Sequence, residues 1–170
     1  MKISIGVGLI GVLLSIATLQ GQTPTPTFDA WPTAQQSIAD YVSTGIVAGT
    51  IGADFVFAVK HGYDVGQVHA ATLCTAGKYA SVNGAAILLK ALVPRERPNG
   101  LNTQDSFSEH TANVAVTGGP WWVDVILAAI VGYFRGAANM HDVVGVLEGA
   151  ALGGLDRYLI TRIPHCRGVS

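Results

Sequence analysis

The sequence predicts an all-α protein, folded as a compact helical bundle. Long segments rich in Ala, Gly and Val are separated by short stretches with Pro or paired Gly, and few segments show the strict alternation of apolar and polar residues typical of strands. Of the 170 residues, 49% are apolar and 12% are charged, whereas roughly a quarter are charged in ordinary soluble domains. A chain of this length is expected to form one domain.

The apolar segments predict helices near residues 34–43, 45–60, 65–93, 111–116, 121–136 and 143–161. Gly and Pro place the breaks between them at residues 61–62, 94–106, 118–120 and 163–164. The last segment carries small residues that would let a neighbouring helix approach closely. These are Gly149, Ala150, Gly153 and Gly154.

The N-terminus has the pattern of an export signal. Lys2 precedes an uncharged run over residues 3–19, and small residues near Ala17 offer a cleavage site. An uncleaved anchor is the alternative, since the run could nearly span a bilayer. Residues 1–21 are therefore predicted to be a signal peptide or membrane anchor. Residues 22–33 form a Pro/Thr-rich linker, and residues 34–170 form the helical domain, exported to the periplasm or associated with the membrane on that side.

Acidic residues interrupt the apolar segments at Asp54, Asp124, Glu148 and Asp156. Membrane-spanning helices tolerate such residues only at paired or functional positions, so a bundle packed on itself is favoured over a multi-span protein. The formal net charge of -1 gives no general attraction to nucleic acid, which disfavours that partner. Export would permit a disulfide between the two cysteines of the chain, but two unrelated thiols are equally compatible with the sequence.

Three clusters bring basic residues and histidines into this charge-poor chain. They are Lys90 with Arg97-Pro98, Ser108 with His110, and Arg135 with His141. Taken singly, each is compatible with an ordinary solvated helix end or surface residue. Together they provide three cations and two histidines, a combination suited to phosphate chemistry.

The chemistry of a phosphate monoester explains why these residue types belong together. The ester carries about two negative charges near neutral pH, and binding it away from water requires fixed cations. Arginine donates through a rigid fork that matches phosphate oxygens, while lysine acts as a compact charge. One histidine can attack phosphorus and a second can protonate the leaving oxygen. No metal or other cofactor is needed, and the sequence shows no convincing carboxylate cluster for a metal.

In order and spacing, the clusters resemble the signature of the type-2 phosphatidic acid phosphatase superfamily, which reads Lys-x6-Arg-Pro, then Pro-Ser-Gly-His, then Ser-Arg-x5-His-x3-Asp. The first part is complete here, and the resemblance covers roughly residues 40–161. It implies a helical bundle of that kind and a metal-independent phosphatase acting on a phosphorylated small molecule or a lipid phosphate, with possible membrane association.

The resemblance also implies a role for each residue. Lys90, Arg97 and Arg135 would hold the phosphoryl group, and Ser108 would donate a hydrogen bond to it. His141 would be the nucleophile that forms a phosphohistidine. His110 would act first as general acid and then as the base that activates water.

Three departures from the signature favour an alternative, a catalytically impaired relative that binds phosphate groups or has a structural role. Gly145 stands where the family has the Asp that orients the nucleophile, a partner expected on the same helix face as His141. Glu109 and Phe107 replace the Gly and Pro of the second motif, and the segment between the second and third motifs is short. A vanadate-dependent haloperoxidase would share the pocket, but the chain is short for one.

Overall fold

Helices account for 79% of the described residues, which confirms the all-α prediction. The computed structural model describes residues 29–61, 64–100, 106–117 and 120–166. Their five helices are α1 (Thr33–His61), α2 (Val65–Leu92), α3 (Glu109–Ala115), α4 (Trp121–Ala137) and α5 (Val143–Ile160), followed by a short 3₁₀ helix at Pro164–Cys166. The predicted signal or anchor at residues 1–21 lies outside the described residues, as does most of the predicted linker.

The prediction of two separate helices at 34–43 and 45–60 is wrong, because α1 runs without a break through both. Gly45 lies inside this helix, and a side chain there would meet nothing within 4 Å. A helical glycine costs roughly 1 kcal/mol relative to alanine, which the adjacent turns of a 29-residue helix can absorb. The other predicted helices agree with the structure to within one or two residues at most of their ends.

Side-chain caps fix where three of the helices begin. The carboxylate of Asp64 accepts a hydrogen bond from the amide of Gln67 at the start of α2, at 2.8 Å. Ser108 caps α3 in the same way, and Asp142 caps α5 through the amide of Gly145 at 2.7 Å. Each cap satisfies an amide that the first helical turn would otherwise leave without a partner.

The short helix α3 lies at the centre of the bundle, where its residues 111–115 are all buried. It packs most closely on α4 and α5, and it also contacts α1 and α2. Val114 lies in an apolar cluster with Ala128 and Val131 of α4. A seven-residue helix is too short to be stable by itself, so α3 depends on this packing.

The backbone of α5 approaches that of α3 directly at two glycines. A Cβ atom at Gly149 would lie 2.3 Å from the carbonyl oxygen of Ser108, and one at Gly153 would lie 2.3 Å from that of Ala112. The predicted close approach is therefore confirmed at these two positions. It is wrong for Gly154, where a side chain would meet nothing within 4 Å.

The interior acidic residues of the predicted helices all have polar partners. Asp54 accepts hydrogen bonds from Lys78 and Tyr79, each at 2.7 Å. Asp124 pairs with Arg157 and Thr117. Buried charges are costly unless they are paired in this way. No described helix is both long enough and apolar enough to cross a membrane.

Cys74 and Cys166 form a disulfide, with their Cα atoms 5.6 Å apart. This decides between the two alternatives that the sequence leaves open. The bond fastens the 3₁₀ helix at the end of the described chain to the middle of α2, across a sequence separation of 92 residues.

We expect Gly149→Ala to destabilise the protein by about 1–3 kcal/mol, the usual cost of inserting a methyl group into a packed interior. The added carbon would collide with backbone atoms of Ser108, which cannot rotate away as a side chain can. The free energy of unfolding from urea titration measures the effect. Gly154→Ala is the matched control on the same helix, and it should stabilise by about 0.5–1 kcal/mol. Equal stability of the two variants would contradict the close approach.

Candidate functional site

The predicted site residues come from segments that meet at one end of the bundle. Lys90 lies in the last turn of α2, and Arg97 lies in the loop that follows. His110 is in the first turn of α3, Arg135 is in the last turn of α4, and His141 directly precedes the cap of α5. Lys90 pairs with Glu109 beside His110. Arg97 contacts Met140 beside His141, so the three sequence clusters converge.

Two of the three predicted phosphate-binding cations are paired with carboxylates. The Nζ atom of Lys90 lies 2.7 Å from Oε1 of Glu109, and Arg135 forms an ion pair with Asp40 of α1. In each pair the cation is the more buried partner: the side chains are 10% exposed for Lys90 against 33% for Glu109, and 4% for Arg135 against 36% for Asp40. The two carboxylates thus lie on the solvent side of the cations.

Arg97 has a weaker set of contacts than the other two cations. Its Nη1 atom lies 3.1 Å from the sulfur of Met140, which is a poor acceptor for a charged donor. Its buried Nε atom has no hydrogen-bond partner within the described part of the chain, and the same holds for Nε of Arg135. Arg97 also contributes to lowering the pKa of Arg135, an effect led by burial and opposed by Asp40. Each guanidinium group therefore keeps one buried donor that no described residue accepts.

His110 is held in its neutral form by its surroundings. Burial is the main cause that lowers its pKa to about 4, and the positive charge of Arg135 adds to the effect, while Asp40 opposes it. His141 is close enough to lower the pKa further. The Nε2 atom of His110 lies 3.2 Å from the hydroxyl of Thr44 on α1, within hydrogen-bond distance.

His141 is almost fully enclosed, with 2% of its surface exposed. It does not lie on a helix face shared with Gly145, so that interpretation of the third motif is wrong. The helix begins only at Val143, because the side chain of Asp142 caps it by accepting the amide hydrogen of Gly145. His141 is therefore positioned by the turn between α4 and α5, in which Asn139 has a left-handed backbone with φ 56°.

Ser108 is fully buried and serves the local backbone structure. Its hydroxyl accepts hydrogen bonds from the hydroxyl of Thr111 at 3.0 Å and from the amide of that residue at 3.4 Å. Its own amide donates to the carbonyl of Gly145 at 2.9 Å. Ser108 thus ties the start of α3 to the start of α5. The structure does not aim its hydroxyl at an open site.

Arg95 is a further charged residue at this end of the bundle, and no sequence motif assigns it a role. Its Nη2 atom lies 3.3 Å from Oδ1 of Asp142 and 3.2 Å from Oε2 of Glu148. The same Glu148 oxygen accepts the amide hydrogen of Phe107 at 3.2 Å. Burial raises the pKa of Glu148, and Arg95 opposes this shift. Arg95 lies between Lys90 and Arg97 in the first cluster, which was the one sequence pattern that could have indicated a role for it. Spacing alone does not reveal carboxylate partners about 50 residues away.

A cleft of about 550 Å³ lies between the start of α1, the loop after Arg97 and the turn after α4. Two of its lining residues, Met140 and Asp40, are the partners of Arg97 and Arg135. The complete lining consists of Thr33, Gln36, Ser37, Asp40, Pro98, Asn99, Ala138, Asn139 and Met140. The cleft therefore borders the partners of two of the predicted cations.

Comparison with protein-family models, with curated proteins and with solved structures found no match for the chain. Among the described residues, no group of three or more His, Cys, Asp or Glu side chains is arranged to hold a metal ion. What the site can do is therefore argued from its own geometry: two adjacent histidines lie among buried cations, with a cleft that leads to solvent.

His110 should titrate with a midpoint near pH 4, measured by the chemical shifts of its imidazole in NMR spectra. Since the unfolded chain would bind this proton near pH 6.5, the free energy of unfolding should fall as the pH decreases from about 6.5 to about 4. Arg135→Gln should raise the midpoint, because it removes a neighbouring positive charge. Lys60→Gln, at an exposed position near the end of α1, serves as the control and should leave it unchanged. A midpoint at the ordinary value of 6.5 would contradict the enclosed environment.

Proposed function

We propose that the protein is a metal-independent phosphatase that hydrolyses phosphate monoesters through a phosphohistidine, as its resemblance to type-2 phosphatidic acid phosphatases implies. The observation that carries the proposal is the convergence of the three sequence clusters. His110 is close enough to both Arg135 and His141 for their charges to act on it, and Arg135 is influenced by Arg97 in the same way. Residues up to 44 positions apart, from Arg97 to His141, thus form one electrostatic unit.

In the first step, a ring nitrogen of His141 attacks phosphorus and the bond from phosphorus to the ester oxygen breaks. His110 donates its proton to that oxygen, so the leaving group departs as a neutral alcohol. Lys90, Arg97 and Arg135 stabilise the charge on the phosphoryl oxygens, the largest expected contribution of a site of this kind.

In the second step, water attacks phosphorus and the bond to His141 breaks. His110, now neutral, accepts a proton from the water and is returned to its starting state when inorganic phosphate leaves. His110 must be protonated in the first step although its pKa in the free protein is about 4. A bound phosphate dianion would offset the charge of Arg135 and raise that pKa, because an anion favours the imidazolium form.

The carboxylates of Glu109 and Asp40 compete with phosphate in this scheme. They occupy the solvent side of Lys90 and Arg135, where an incoming anion would bind. Both are about one-third exposed, so turning them towards water costs little compared with desolvating a buried charge. Phosphate binding would therefore exchange two internal ion pairs for contacts with the ligand.

The alternative function is phosphate binding or a structural role without turnover. It is favoured by the same two ion pairs, by the enclosure of His141 and by Gly145 in place of the family's Asp. A site whose cations are already compensated can be stable and inert, since a fold shared with enzymes does not guarantee activity.

Two features support the expected exported location and membrane association. Disulfides such as the one between Cys74 and Cys166 persist mainly in oxidising compartments. An apolar groove of about 640 Å³ lies between α4 and α5, with Leu147 near its site end and the largely exposed Trp121 at the other. Such a surface suits contact with lipid and keeps lipid phosphates among the candidate substrates.

Hydrolysis of p-nitrophenyl phosphate should proceed without added metal and should persist in excess chelator. His141→Ala should abolish turnover because it removes the nucleophile. His110→Ala should lower it by about 10²–10⁴-fold, the usual contribution of a general acid. His69→Ala, at an exposed histidine of α2, is the control. A folded protein that binds phosphate but turns over neither p-nitrophenyl phosphate nor a lipid phosphate would favour the binding function instead.

Glu109→Gln should raise the affinity for inorganic phosphate roughly two- to fivefold, since a partly exposed ion pair contributes on the order of 0.2–1 kcal/mol. The substitution keeps the size of the side chain and releases Lys90 from its competing partner. Isothermal titration calorimetry measures the change. Glu96→Gln, at an exposed position in the loop after α2, is the matched loss of charge. An equal gain in both variants would show a general charge effect and not a local one.

A further inference from the structure

Asp40 holds a position in the cleft that phosphate binding alone does not explain. It is the one charged side chain among the described residues that line the cleft. Its side chain is 36% exposed, although it pairs with the buried Arg135. A phosphate dianion held by Arg135 would therefore replace Asp40 in its ion pair and still lie near the displaced carboxylate, and like charges at short range oppose binding.

The same residue lies close to the position proposed for the leaving group. Thr44 follows Asp40 by one helical turn on α1 and contacts Nε2 of His110. Side chains four residues apart on a helix have Cβ atoms roughly 5–6 Å apart. Asp40 is also close enough to His110 for its charge to act on that imidazole, so a leaving oxygen protonated by His110 would lie near Asp40.

The remaining lining of the cleft combines apolar surface with hydrogen-bonding groups. Gln36, Asn99 and Asn139 provide amide groups, and Thr33 and Ser37 provide hydroxyls. A volume of about 550 Å³ lies within the usual range for small-molecule sites. The cleft therefore has the space and the hydrogen-bonding groups for a leaving group larger than methanol, together with a negative charge at one fixed point.

We propose that Asp40 is a specificity-determining residue that selects phosphate monoesters with an ammonium group two or three carbons from the ester oxygen. The inference rests on the proposed function, because it assumes that phosphate binds at Arg135. An ammonium group in this place would lie between the phosphate and Asp40 and would neutralise the repulsion between them. Neutral alcohols leave that repulsion in place, and anionic leaving groups increase it.

Binding of two stable phosphonates tests this without requiring turnover. By calorimetry at pH 7, 3-aminopropylphosphonate, in which a methylene group replaces the ester oxygen, should bind about tenfold more tightly than propylphosphonate, which corresponds to about 1.4 kcal/mol. In Asp40→Asn, the ratio of the two phosphonate affinities should fall to about one. The affinity of this variant for inorganic phosphate should stay the same or rise. Glu109→Gln is the matched control. It also removes a carboxylate from the site but is not part of the cleft lining, so it should keep the preference.

The outcomes separate this inference from the proposed function. If the two phosphonates bind the unaltered protein equally and inorganic phosphate still binds, Asp40 selects nothing and only the inference fails. If neither phosphonate nor inorganic phosphate binds, the proposed phosphate site fails together with the inference about Asp40. If Asp40→Asn and Glu109→Gln lose the preference equally, general charge and not Asp40 sets the selectivity. A ratio near one on the unaltered protein overturns the inference even if Asp40→Asn does not fold.

Discussion

The direct backbone contact between α3 and α5 is the constraint on which the rest of the structure depends. At Gly149 and Gly153 the two helices meet without an intervening side chain, and the amide of Ser108 donates across the junction to the carbonyl of Gly145. This contact fixes the start of α3, which carries His110, relative to the start of α5, which follows His141. Any residue larger than glycine would push the helices apart and separate the two histidines.

Charge compensation is the second organising feature of this end of the bundle. Four cations, Lys90, Arg95, Arg97 and Arg135, lie among four carboxylates, Asp40, Glu109, Asp142 and Glu148. An excess of buried positive charge would be costly in the absence of a ligand. The four carboxylates therefore stabilise the cations without a ligand. In the proposed function, an anion binds as the two more exposed carboxylates, Asp40 and Glu109, turn away from Arg135 and Lys90.

The two carboxylate groups differ in how they could respond to a ligand. Asp142 and Glu148 are almost fully buried and hold Arg95, the start of α5 and the turn at Phe107 in place. Asp40 and Glu109 are each about one-third exposed and face the solvent side. The inner set maintains the architecture, whereas the outer set is more exposed to solvent, and the proposal places ligand specificity in that outer set.

Much of the fold could be predicted because it follows from local patterns. The periodic apolar segments and the Gly and Pro breaks gave four of the five helices closely, and Asp64, Ser108 and Asp142 are typical cap residues at their starts. The continuity of α1 could not be predicted, since Gly45 is a weak helix former and only packing and helix length override it. The order and spacing of the three clusters likewise indicated which residues would meet. The functional roles of these residues remain proposals.

The sequence by itself determined the helical class, the positions of most helix ends and the identity of the basic residues and histidines at the candidate site. Only the tertiary structure decided that the cysteines are bonded, that Ser108 is turned inward, and that His141 lies before α5 and not within it. It also decided which carboxylates face the cations. Asp40 and Arg135 are 95 residues apart, and such pairings depend on how helices pack, which no local pattern in a single chain encodes.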